Sequence, residues 1–214
     1  LHSTSRRQRQ MCIRDRNHGP YAETESTVPY VSPEASGWSQ ESCNILNNYL
    51  FGVNETVREY VRLTQELDAR DTPVVLVLFG DHKPWMGNGG SVYEEMGIDF
   101  DTSTLAGFRN YYATPYLIWA NRAAKEVLGA DFTGDGGDFS PCFLMTRLFD
   151  ACGWAGPGYM QLSRAMRDIS PLLHTNGLFL HDGVLTSVLS DTDHSFYRSW
   201  LAVQYYREHV AAYS

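Results

Sequence analysis

The chain has 214 residues, 43% of them apolar, and a formal net charge of −8, enough for one domain with a buried core. Without residues 1–16, which hold five Arg and one Asp, 12 basic and 24 acidic residues remain, a net charge of −12. That balance argues against a nucleic-acid partner, and no apolar run approaches the roughly 20 residues that cross a bilayer, so the chain by itself reads as soluble.

Residues 1–16 read as foreign. Arg6-Arg7-Gln8-Arg9-Gln10-Met11-Cys12-Ile13-Arg14-Asp15 matches one frame of a transposase adapter used in DNA library preparation, and the segment is set aside as a scar. The expectation is that an upstream portion of the natural protein precedes Asn17. The remaining Cys43, Cys142 and Cys152 form neither a disulfide framework nor a zinc pattern and read as buried thiols.

Asn17-His18-Gly19-Pro20-Tyr21 places His18 at a turn. Residues 22–40 read as a surface connection. Leu46, Leu50, Val53, Val57, Val61, Thr64 and Leu67 recur at spacings of three and four, the stripe of an amphipathic helix. After Pro73, Val74-Val75-Leu76-Val77-Leu78-Phe79 reads as a strand buried on both faces, a pattern of parallel sheets covered by helices. It runs into Gly80-Asp81-His82, where a site lies beyond the strand's carboxyl end. A carboxylate beside an imidazole is a donor set for Zn²⁺ or Mn²⁺; an Asp capping the next turn beside an ordinary loop His is the alternative.

Gly87-Asn88-Gly89-Gly90 lacks the spacing of a phosphate loop and reads as a rim. Short helices are expected over 91–97 and 103–112, then a second buried strand at Tyr116-Leu117-Ile118-Trp119-Ala120. Gly134-Asp135-Gly136-Gly137-Asp138 lacks the EF-hand pattern and reads as a turn. Ser140-Pro141 marks a helix start, and another helix spans 158–168. Asp182-Gly183 between apolar runs predicts a type I′ hairpin over 178–186. A last helix from about 192 to 211 turns Phe196, Trp200, Val203 and Val210 inward. His174, His181, His194 and His209 show no metal-ligand spacing.

Together, Asn17-His18-Gly19-Pro20-Tyr21, the amphipathic helix, the strand ending in Gly80-Asp81-His82 and Thr114-Pro115-Tyr116-Leu117-Ile118-Trp119-Ala120 resemble the lipoteichoic acid synthase family, sulfatase-like members of the alkaline phosphatase superfamily. The resemblance covers residues 17 to about 155 and fades beyond. It implies an α/β sandwich with a mostly parallel central sheet, present in part over 17–155, and a small carboxy-terminal α+β portion over 156–214. It implies transfer of phosphoglycerol from phosphatidylglycerol to a glycolipid or teichoic-acid chain, through a Thr-linked intermediate. The setting would be the outer face of a bacterial membrane, with a membrane tether in the upstream part. Asp81 and His82 match two ligands of a divalent ion, Mn²⁺ with Mg²⁺ or Zn²⁺ as alternatives, and His18 matches a histidine that contacts the substrate's phosphoryl group. The nucleophilic Thr and a Glu ligand would lie before His18, so this stretch alone is expected to be inactive and to bind metal weakly.

Lys83 and Trp85 either touch a headgroup or polymer or pack within their loop. Arg109 either reaches phosphate or makes a surface ion pair, and Thr114, of a residue type that could be a nucleophile, reads as structural from its place before Pro115 at a strand start. The competing functions are a sulfatase or phosphoethanolamine transferase of the same superfamily, and a non-catalytic binding domain. None of the cysteines has the Cys-x-Pro-x-Arg context of a formylglycine site.

Overall fold

The computed structural model describes residues 29–209. They fall into two compact units, one formed by the described residues up to Ala69 with Gly80–Pro115, the other by Arg70–Phe79 and the described residues from Tyr116 onward.

The first unit is helical: α1 Pro33–Ser36, α2 Gln40–Asp68, α3 Ser91–Glu95 and α4 Leu105–Tyr112. Ser39 caps α2, its Oγ accepting from the Ser42 N–H at 3.1 Å, which satisfies one of the donors a helix start leaves orphaned. The Glu95 carboxylate accepts from both the Ser39 N–H and hydroxyl, at 2.7 and 2.8 Å, and these bonds hold its pKa below the usual carboxylate range. The buried Asn47 side chain accepts from the Tyr30 and Val31 N–H groups and donates to Val31 O. Ile45, Leu46, Met86, Val92 and Tyr93 form the core. The apolar stripe of α2 is covered only near its start: Val53 is 37% exposed and Val57 and Val61 are 49% exposed.

In the second unit β1 (Val75–Phe79) pairs with β2 (Tyr116–Ala120), followed by α5 Arg122–Leu128, α6 Leu144–Ala151, α7 Gly158–Ile169, β3 Phe179–His181, β4 Val184–Thr186 and α8 Asp191–His209. The mixed α/β class expected from the sequence is present. The mostly parallel sheet is not: among the described residues both sheets are two-stranded and antiparallel. Phe79 lies opposite Tyr116 and Val75 opposite Ala120, so the chain leaves and re-enters the ladder at the same end. The helices between the strands belong to an excursion, not to a βαβ crossover. Nor is β1 sealed on both faces; four of its residues are half-buried and Phe79 is exposed.

The hairpin follows its turn chemistry. Asp182 and Gly183 have φ of 49° and 77°, the positive values that a type I′ turn requires, and His181 faces Val184. Phe143, Met166 and Trp200 form the core here, with the Trp200 Nε1–H donating to Ser163 Oγ at 3.0 Å. Two further expectations need correction. Val203 is 37% exposed, on the outer side of α8, and Val210 lies outside the described residues. Ser140 precedes a 3₁₀ turn at Pro141–Phe143, but its hydroxyl bonds to Leu173 O and N–H instead of capping. No described helix is long and apolar enough to cross a membrane.

Candidate functional site

The corner after β1 is built by close approach. Thr114 Oγ1 donates to Gly80 O at 2.7 Å and the Gly80 N–H donates to Pro115 O at 3.0 Å. A Cβ on residue 80 would sit 3.0 Å from Thr114 Cβ, so glycine lets the two segments meet. Thr114 has the structural role its place before Pro115 suggests.

Asp81 and His82 then project outward, their side chains 70% and 64% exposed. The His82 N–H donates to Asp81 Oδ1 at 2.9 Å. His82 Nδ1 lies 2.9 Å from Lys83 O. A carbonyl only accepts, so in the neutral ring Nδ1 carries the proton and Nε2 keeps its lone pair. That is the arrangement in which a backbone carbonyl orients a metal-binding imidazole. Nε2 is 3.8 Å from Asp81 Oδ2, a separation at which both atoms can lie about 2.1 Å from one cation. The two donors fit as one side of a divalent site. Among the described residues no group of three or more His, Cys, Asp or Glu side chains gathers to complete it. His18 lies outside the described residues.

The loop beyond is fixed from beneath. The Tyr93 hydroxyl donates to Pro84 O at 2.6 Å; burial, with Tyr49 nearby, pushes its pKa up to about 12, so it stays a donor. Met86 is 3% exposed, in the core, whereas Trp85 beside it is 64% exposed. Trp85 thus presents most of its surface outward. Gly87, Gly89 and Gly90 all have positive φ and shape the turn into α3. Tyr93 meets Phe100 edge-on at 5.0 Å, Phe100 meets Tyr111 at 5.6 Å, and Tyr111 meets Tyr112 at 4.7 Å.

The other candidates have local partners. His181 Nδ1 lies 3.0 Å from Ile169 O, and His209 stacks on Tyr205. Asp135 Oδ1 accepts from the Gly137 N–H at 2.8 Å, closing the acidic loop as a turn. Arg109 lies exposed on α4. Cys43 and Cys152 are buried free thiols, but Cys142, expected inside, is exposed.

Sequence reasoning missed Asn121. It is fully buried, its Oδ1 accepts from the Val74 and Ala124 N–H groups at 2.9 Å, and its Nδ2 donates to Thr72 O at 2.9 Å. One amide caps α5 and fixes the entry to β1. The signal was present: Asn before Arg-Ala-Ala is a helix start.

Over 148 residues the chain is 26% identical to the "Putative cyclic beta-1,2-glucan modification protein" of Rhizobium meliloti (strain 1021), a match covering 66% of this chain and 21% of that protein. The chain thus spans about a fifth of that relative's length. No family model and no solved structure matches.

Proposed function

We propose that the chain is part of an enzyme that modifies a glucan by transferring phosphoglycerol to it, with Asp81 and His82 holding one side of a divalent ion, Mn²⁺ in the first instance. The observation that carries this reading is the corner itself. An exposed carboxylate and an imidazole with its Nδ1 turned to Lys83 O share a geometry that admits one cation. The similarity to a protein named for cyclic glucan modification supports a saccharide acceptor over a teichoic-acid chain. The resemblance of residues 17 to about 155, taken together, to the lipoteichoic acid synthase family supports phosphatidylglycerol as donor and the outer face of the membrane as location.

In this reading the bound ion supplies Lewis-acid stabilisation of phosphoryl charge. Asp81 contributes an anionic oxygen, and His82 a neutral nitrogen whose direction Lys83 O sets. Gly80 and Thr114 hold both on a short, braced turn. His18 would add a contact to the phosphoryl group. The experiment is calorimetric titration of the chain with Mn²⁺, alone and as Asp81→Asn and His82→Ala. Weak 1:1 binding abolished by either substitution supports the reading, and binding that survives both removes it.

A further inference from the structure

An exposed tryptophan needs a reason when its neighbours are held rigidly. Trp85 stands 64% exposed between Pro84, whose carbonyl is bonded to the buried Tyr93, and Met86, which is 3% exposed. Its backbone is clamped on both sides, and the ring stays out of the core. Tyr93 also begins the edge-to-face series that reaches Tyr111, 47% exposed near the end of α4. The Thr114 bond to Gly80 O draws that end of α4 to the Asp81–His82 corner. Along the chain Trp85 follows His82 by three residues, and Tyr93 bonds the carbonyl just before Trp85.

We infer that Trp85 forms a saccharide subsite in which the apolar face of a hexopyranose ring packs on the indole, three residues beyond His82. This rests on the reading of the corner as a glucan-modifying site and names where the acceptor sits. Aromatic faces bind such rings through C–H contacts and area burial at little conformational cost, because the side chain has two torsions and its backbone is fixed. A membrane surface is the other environment that draws out Trp and Tyr. The similarity to a protein named for cyclic glucan modification favours the sugar ring.

The test is calorimetry of the full chain with cyclic β-1,2-glucan in metal-free buffer, for the native sequence, Trp85→Ala, Trp85→Phe and, as a control at another exposed aromatic, Tyr205→Ala. Trp85→Ala should weaken binding about tenfold, as loss of one stacked ring does, with Trp85→Phe between and Tyr205→Ala unchanged. Unchanged melting temperatures confirm that the variants fold. Glucan binding that persists when Mn²⁺ binding fails, or the reverse, separates the subsite from the metal reading. Vesicles carrying glucosyl diacylglycerol show whether the ring can also belong to a glycolipid. No glucan binding by the native chain, equal binding by Trp85→Ala, or a Trp85 effect confined to phosphatidylglycerol vesicles without sugar would each overturn the inference.

Discussion

Among the described residues, two adjacent Asp and His pairs share almost the same local geometry, one in each unit. In one, His82 Nδ1 is 2.9 Å from Lys83 O and Nε2 is 3.8 Å from Asp81. In the other, His181 Nδ1 is 3.0 Å from Ile169 O and Nε2 is 3.7 Å from Asp182. The second pair is accounted for by the fold. His181 ties the hairpin to the last carbonyls of α7, which a helix end leaves without partners, and Asp182 occupies a positive-φ turn position that suits Asp. The first pair has no such account in Asp81, whose carboxylate is engaged only by His82 among the described residues. A buttressed imidazole beside a carboxylate is thus not by itself a metal site. What distinguishes His82 is its place at the end of an apolar strand, on a braced turn, with an exposed indole three residues away.

Four substitutions sharpen the contrast. The hairpin rests on a packed body, so Trp200→Ala should cost about 3–5 kcal/mol, seen as an earlier denaturation midpoint, because it empties the space beside Phe143 and orphans Ser163 Oγ. Asp150→Asn comes next. Burial alone would raise the Asp150 pKa, but Arg167 and Arg164 outweigh it and hold the carboxyl below the usual range. Asp150 meets Arg164 Nε at 2.6 Å and Arg167 Nη1 at 2.7 Å. A depressed folded-state pKa contributes stability above the unfolded pKa and loses it as pH falls through the folded one. The variant should therefore be weaker by roughly 1–3 kcal/mol at neutral pH, and the difference should close below about pH 4.

His181→Ala should cost about 1 kcal/mol by denaturant titration, since it leaves Ile169 O without its imidazole. His82→Ala should be the mildest, within about 0.5 kcal/mol, because its side chain is 64% exposed, yet it should abolish Mn²⁺ binding. Equal stability losses from His82→Ala and His181→Ala would make both pairs structural and break the comparison.

Local chemistry was legible in the sequence where one residue type answers one backbone demand. Asp182-Gly183 predicted the hairpin, and Pro73 and Gly80 bracketed β1. The sense of the sheet was not legible. An apolar strand, intervening helices and a second apolar strand read alike whether the chain crosses over or returns to the same end, and only the Phe79–Tyr116 pairing decides it. Periodicity found the stripe on α2 but cannot say what covers it, and Val57 and Val61 remain open. Of the candidate site, Asp81 and His82 stood out by type and position. Their brace by Lys83 O, Thr114 and Tyr93 involves contacts that no spacing encodes.

The most direct measurement is an amide NMR spectrum of the chain during titration with paramagnetic Mn²⁺. The account predicts that broadening begins at residues 80–84, spares 181–182, and disappears in His82→Ala. Broadening that begins instead at the hairpin or at the acidic turn of residues 131–138, or that is unchanged by His82→Ala, would contradict it.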